Sequence, residues 1–246
     1  MPKNINMSWK KTLPYFAWQS FRYSRNIPEF RRNWSNYGRW MQSFQPEHSS
    51  IRDESAWITF DALDFLDQHL KPHFRVFEYG GGGSTLFFCA RVASLVTVEH
   101  HKDWFQVVKD TVAAKGFTRW TGHFAPPEYA TGTAGLSLHD PSHFKSSAPG
   151  MENMSFEQYA RTIDNYGTEE FDVILVDGRA RTSCVVQAIP HLKRGGLLIV
   201  DNAERLLLPQ PPAQFWDDRF FQVLLDNHAA LPYSPDFTKT LILRKL

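Results

Sequence analysis

Residues 75–88 read Arg75-Val-Phe-Glu78-Tyr-Gly80-Gly81-Gly82-Gly83-Ser84-Thr85-Leu-Phe-Phe88. Four consecutive glycines separate a short apolar run, which carries an acid, from what reads as the start of a helix. Glycine loses more freedom on ordering than any other residue. Its repetition here therefore has two physical readings: a flexible turn, or a backbone that something must approach closely.

The same rhythm continues outward. Before the glycines, Ser50 is placed to cap a helix running to Leu70, with Trp57, Ile58, Leu63 and Leu66 near one face and Pro72 beyond its end. After them, residues 84–93 read as a helix and Leu95–Glu99 as a second strand. Trp104, Phe105, Val108 and Val112 mark a helix that Gly116 stops. A weaker third strand is expected at 117–124. Residues 155–166 read as helical, 171–178 as the clearest strand, and 180–192 as a helix ended by the KRGG of 193–196. A buried strand follows at 197–202, then a last helix at 213–225 and an alternating final strand at 238–245. Strands that are almost continuously apolar and alternate with helices predict an α/β fold, a doubly wound and mostly parallel sheet covered on both faces. Residues 1–50 form an N-terminal extension of helical character and 51–246 the main domain. Residues 124–153 are rich in Pro, Gly, Ser and His, and a loop of that length is commonly functional or disordered.

The bulk figures exclude several classes. Net charge is +1, which argues against a protein built throughout to grip nucleic acid, and no nucleic-acid partner is expected. With 42% hydrophobic residues the chain can bury a sizeable core. Cys89 and Cys184 sit in apolar patterns and read as small buried hydrophobes. No apolar run reaches the ~20 residues that span a bilayer, and no secretory signal is visible, so a cytoplasmic protein is expected. Charge is uneven, however. Residues 1–40 hold Lys3, Lys10, Lys11, Arg22, Arg25, Arg31, Arg32 and Arg39 against the single acid Glu29, with Trp9, Trp18, Trp34 and Trp40 among them. This segment either packs its aromatics on the main domain and leaves its cations in water, or offers a peripheral membrane or protein contact. The oligomeric state has no signature.

In open α/β sheets ligands bind beyond the carboxyl ends of the strands. Those ends carry Glu78 with the glycines, Glu99-His100-His101, Asp177-Gly178-Arg179 and Asp201-Asn202. A P-loop would need Gly-Lys-Ser/Thr, and no lysine follows the glycines. A dinucleotide site shares the strand, the glycine loop and an acid such as Glu99 about 20 residues on, but its third glycine is absent here, and a pyrophosphate would lie beside Glu78. The electrostatics better suit a ribose-bearing ligand with a cationic centre. S-adenosylmethionine is such a ligand. The turn at Ser84 can face its carboxylate, Glu99 its ribose hydroxyls, and Glu78 and Asp177 its positive groups.

The stretches VFEYGGGGST, VTVEH, FDVILVDGRAR and HLKRGGLLIVDN, in that order, resemble the motifs of class I S-adenosylmethionine-dependent methyltransferases, from about Ile51 to the C-terminus. The resemblance implies a Rossmann-like seven-stranded sheet whose last strand is antiparallel. It implies cofactor contacts from Glu78, Gly80, Gly82, Ser84 and Thr85 to the methionine part, from Glu99 to the ribose, and from His100 and the Gly122-His123 turn near the adenine. The acceptor it leaves open is a small molecule methylated at oxygen or nitrogen. A narrower resemblance joins Asp177, Asp201 and Asn202 to the metal ligands of catechol-type O-methyltransferases, which implies Mg²⁺. Against it, the glycine loop is one residue shorter and GRAR after Asp177 is unlike that subfamily. The other readings place Asp177 near the cofactor's ammonium with Asp201-Asn202 shaping the acceptor pocket, or give all three structural roles. Asp177 and His123 are the candidate catalytic bases, with His139 and His143 as further loop histidines. Arg179 and Arg181 either recognise an acidic acceptor or pair with local carboxylates. Two rivals stand beside methyl transfer: an aminopropyltransferase of the same fold, against which DGRART places cations where a polyamine needs acids, and a non-catalytic, membrane-associated binding module.

Overall fold

A computed structural model describes residues 9–132, 135–205 and 218–246. Its centre is a seven-stranded sheet. The strands are β1 (Arg75–Tyr79), β2 (Ser94–Glu99), β3 (Trp120–Phe124), β6 (Phe171–Val176), β7 (Leu192–Val200), β8 (Phe221–Ala229) and β9 (Thr238–Lys245), in spatial order β3-β2-β1-β6-β7-β9-β8. Pairing is parallel from β3 through β7, and β9 runs antiparallel to both β7 and β8. The order reverses between β1 and β6, where a crevice opens at the strands' carboxyl ends.

The apolar runs of these strands are explained by burial on two faces. In β6, Val173 and Leu175 enter one core cluster while Ile174 and Val176 enter the other. The first face is covered by α4 (Phe60–His69) and α5 (Gly83–Cys89), which contribute Leu63, Leu66, Phe87 and Phe88. The second is covered by α7 (Glu157–Arg161) and α8 (Arg181–Ala188), which contribute Tyr159, Ala160, Cys184 and Val185. On the outer side of β2 lies α6 (Lys102–Ala114); Gly116 stands just past its end at φ +71°.

Several boundaries differ from the sequence reading. Thr59 caps α4 by accepting from the Ala62 amide, so Ser50 lies in a turn instead of capping a helix. Residues 193–196 do not end a helix but lie within β7, with Gly195 at φ +76°. Part of the helix expected at 213–225 falls outside the described residues, and from Phe221 onward the chain is strand β8, not helix. The loop after β3 folds back as a small antiparallel ribbon, β4 (Glu128–Tyr129) with β5 (Met154–Ser155), and buries Phe144 in the second core.

The N-terminal segment forms α1 (Leu13–Tyr23), α2 (Ile27–Ser35) and α3 (Tyr37–Gln42). Phe16 and Trp40 are fully buried in the first core beside Leu66 and Phe237. Phe16 sits among the rings of Trp34, Tyr37, Trp40 and Phe237. Its cations are not simply left in water: Lys10 pairs with Asp236 at 3.1 Å, Arg32 with Asp61 at 2.7 Å and Arg39 with Asp64 at 2.8 Å. Trp9, Trp18, Phe21 and Ile27 remain exposed. No helix among the described residues is long and apolar enough to cross a membrane.

We propose that the described part of the N-terminal extension, residues 9–50, is docked on the main core. Phe16→Ala would then cost about 3–5 kcal/mol in chemical denaturation, in a single transition. A loss below about 1 kcal/mol, or a separate early transition, would show instead that the segment is loosely attached.

Candidate active site

The cavity of about 740 Å³ at the carboxyl ends of β1, β2, β6 and β7 is lined by Gly80 to Ser84, Glu99 to His101, Asp177 to Arg179 and Asp201-Asn202, among others. The four glycines do different things. Gly80 has φ +91°, and a Cβ there would stand 2.9 Å from the Gly178 Cα, so the β1 and β6 loops touch only because both lack side chains. A Cβ at Gly83 would lie 2.2 Å from the Ser50 carbonyl oxygen. At Gly82, by contrast, φ is 171°, and an added Cβ would meet only the Trp104 ring, at 3.8 Å. Nothing in the protein itself requires glycine at position 82.

The loop is fixed from beneath. Glu78, fully buried, accepts hydrogen bonds from the Thr85 hydroxyl at 2.7 Å and the Thr97 hydroxyl at 2.8 Å. Thr85 Oγ1 in turn accepts from the Gly82 amide at 3.0 Å. Both Glu78 and Thr85 therefore hold the loop and do not line the cavity. Burial pushes the Glu78 carboxyl up to about 7; the Ser84, Thr85 and Thr97 hydroxyls offset this only in part.

Glu99 has the opposite environment. Its Oε1 accepts from the His100 and His101 amides, both at 2.7 Å, and its Oε2 accepts from the Gly81 amide at 3.0 Å. Burial alone would raise this carboxyl, but the His100 side chain and these amides hold it below the usual range. It is an ionised acceptor held in one orientation at the cavity wall. Trp104, which the sequence reading used only as a helix marker, donates from Nε1 to the Gly81 carbonyl at 2.7 Å and sets its ring beside Gly82. Its signal was its place in the turn just after Glu99.

Asp177 and Asp201 are buried against each other. Asp177 accepts from Arg181 at 3.0 Å, and Asp201 accepts from the Thr240 hydroxyl at 2.8 Å. Burial raises both carboxyls, Asp201 further because the Asp177 charge is next to it, and the two are hydrogen-bonded to each other. This arrangement does not fit the Mg²⁺ expected from the narrower resemblance. The Arg181 guanidinium already serves the Asp177 carboxylate, and Asp201 is turned to Thr240. Among the described residues no group of three His, Cys, Asp or Glu side chains is arranged for a metal ion.

His100 lines the cavity, with Nδ1 2.7 Å from Glu99 Oε1 and its ring edge-on to Phe156 and Tyr159. His123 does not line it. It sits within β3 and bonds the Tyr166 hydroxyl at 2.7 Å, and burial lowers its basicity. His139 and His143 lie in the loop after β3, outside the cavity lining.

Comparison with solved structures finds this architecture elsewhere. An rRNA methylase from Streptococcus thermophilus superposes with a TM-score of 0.51 at 13% identity, over 76% of this chain and 95% of that one. A proposed O-methyltransferase from Klebsiella pneumoniae gives 0.56 at 14% identity, over 85% and 94%. A proposed rRNA methylase from Clostridium thermocellum gives 0.50 at 11%, over 76% and 94%. No protein-family model matches the sequence, and no curated protein does. At these identities the likeness is one of fold: the chain has the Rossmann-like, seven-stranded fold of class I S-adenosylmethionine-dependent methyltransferases.

The Glu78 carboxyl makes a testable demand on stability. Its folded value lies above the unfolded one, so the native state holds the proton more tightly. Stability is then complete below the ordinary carboxylate range and falls as pH rises through about 7. Glu78→Gln removes that loss. Between about pH 5 and about pH 8 the variant's unfolding free energy should fall by on the order of 3 kcal/mol less than the parent's. Parallel curves would mean that Glu78 is ionised throughout.

Proposed function

We propose that this protein transfers a methyl group from S-adenosylmethionine to a small-molecule acceptor at oxygen or nitrogen. The observation that carries the reading is Gly82, a glycine facing the cavity that neither strain nor packing demands, opposite the amide-held carboxylate of Glu99. A position kept bare without a protein reason fits close approach by a ligand. A fixed, ionised carboxylate fits two vicinal ribose hydroxyls.

In this reading Glu99 takes the ribose, the Gly80–Gly82 backbone and the Ser84 hydroxyl receive the methionine part, and His100 flanks the adenosine. Glu78 and Thr85 act by positioning the loop and do not touch the cofactor. The cofactor supplies a carbon already activated by sulfonium. The chain's task is to hold the acceptor atom in line with it, which alone supplies several kcal/mol. Asp177 faces the cavity and is the proposed proton acceptor, since burial makes a carboxylate a stronger base than it is in water. His123, outside the cavity, is not proposed for this role. Cations at Arg179 and Arg181 speak against a polyamine acceptor and so against the aminopropyltransferase alternative.

Calorimetry with S-adenosylmethionine and S-adenosylhomocysteine tests the proposal. The parent should bind both in the micromolar range. Gly82→Val should weaken binding by about tenfold or more while its melting temperature stays near the parent's. Absence of binding by the parent at high micromolar ligand would refute methyl transfer. Unchanged affinity in Gly82→Val would refute this account of the loop.

A further inference from the structure

Beside the β6 loop a small side pocket of about 60 Å³ opens off the cavity, sharing Gly178, Arg179, Arg181 and Arg205 with it. Liquid water takes up about 30 Å³ per molecule, so this is room for one compact group. Among the described residues its walls contain Lys145, Arg179, Arg181 and Arg205, the hydroxyls of Ser146 and Thr182, and no acid.

The local partners of these cations leave positive charge over. Lys145 is 8% exposed; its ammonium donates to the main-chain carbonyls of Glu152 and Met154, and its charge also acts on the Glu152 carboxylate. Arg179 Nε meets the His100 ring at 3.4 Å, which supplies no negative charge. Arg205 stands 3.7 Å from the carboxylate of its chain neighbour Glu204 and keeps a 62% exposed side chain. Arg181 pairs with Asp177, a carboxylate that also feels the Arg179 charge, so the two arginines share one acid, and the Arg181 Nε–H is buried with no partner. The start of α8, at Arg181, adds the positive end of a helix dipole to the same wall. A buried cation without a counter-ion is costly. Four positive side chains around one small hollow share three carboxylates, Asp177, Glu152 and Glu204, and an entering anion offsets the surplus.

We propose that this side pocket seats the oxyanion of the methyl acceptor, a terminal phosphate or a carboxylate, and so makes the substrate an anionic small molecule. The proposal rests on the methyltransferase reading above for the word acceptor, and on the pocket alone for the anion. The pocket shares its wall with the β6 loop and has no part of the Gly81–Gly82 or Glu99 surface. An anchored oxyanion would therefore place the remainder of the molecule over Asp177 and toward the cofactor region. At about 60 Å³ the hollow has room for one terminal group, which suits a small anion.

The full chain, saturated with S-adenosylhomocysteine, should be titrated at constant ionic strength with inorganic phosphate and, in parallel, with acetate. Saturable binding of either anion at one site is expected, and the tighter of the two names the source. Arg205→Gln, on an exposed side chain that folding does not need, should weaken it about tenfold, and Arg179→Gln likewise. S-adenosylhomocysteine affinity in Arg205→Gln should stay within about threefold of the parent. No saturable binding of either anion, or binding unchanged in both variants, overturns the proposal while leaving methyl transfer standing. A single-stranded RNA oligonucleotide that displaces phosphate with far higher affinity, and loses that affinity in Arg205→Gln, overturns the small-molecule assignment. If S-adenosylhomocysteine itself does not bind, the methyltransferase reading falls, and the same titration of the free protein still decides the pocket.

Discussion

The site depends on a buried hydrogen-bond chain that reaches the cavity only at Gly82. Trp120 Nε1 donates to Thr97 Oγ1, Thr97 and Thr85 donate to Glu78, and the Gly82 amide donates to Thr85. These five residues tie β3, β2, β1 and the start of α5 to one carboxyl group in the sheet interior. An unpaired acid there would cost several kcal/mol; two hydroxyls and a proton held near neutral pH reduce that cost. The result is a glycine loop with one geometry before any ligand arrives. Its glycines are shaped for contact with neighbouring backbone at Gly80 and Gly83, and left open at Gly82. A preorganised surface of this kind binds without the entropic cost of ordering a flexible turn.

The neighbouring carboxylates show how environment separates chemically similar groups. Burial pushes the Glu78 carboxyl up to about 7, the His100 side chain and neighbouring amides hold Glu99 below the usual range, and burial raises both Asp177 and Asp201, with Arg181 opposing the shift. Four acids at strand ends thus become one loop brace, one fixed anion and one coupled pair. The negative charge available to a ligand is concentrated at Glu99 and Asp177, not spread along the strand ends.

The strands were legible because burial on both faces leaves an unbroken apolar run, and the resemblance in motif order pointed to the observed fold. The details that escaped depend on contacts distant in sequence. Phe221–Leu225 has a pattern compatible with a helix, but pairing with β9 makes it an edge strand with a register shift near Leu224. Lys193–Gly196 carries a helix-stop signal, yet pairing with β6 on either side of it, at Leu192 and again from Leu197, makes it an irregularity within β7. Glu78 has the chemistry to face a cationic ligand, and only the positions of Thr85 and Thr97 show that it faces away. Asp177, Asp201 and Asn202 have metal-ligand chemistry in the right order, and Arg181, one helical turn on from Asp177, takes the place of the cation. His123 has a suitable titration range and the wrong side of the sheet edge. In each case residue type was readable and direction was not.

A net charge of +1 conceals two separate distributions of cations. On the N-terminal helices, Lys10, Arg32 and Arg39 are matched across the domain by Asp236, Asp61 and Asp64, and Asp61 is further held by the Asn227 amide at 2.7 Å. Those pairs fix where the extension docks, and their charge is locally cancelled. Around the side pocket, Lys145 and Arg179 instead come from two separate segments, one in the long loop after β3 and one after β6, and neither donates a hydrogen bond to a carboxylate. Bringing like charges together across the fold is unfavourable unless something offsets it. The matched set serves the architecture. The second set, placed beside Asp177 and open to the cavity, is the surface on which the proposed anion site rests, and Lys145 brings the loop after β3 to it.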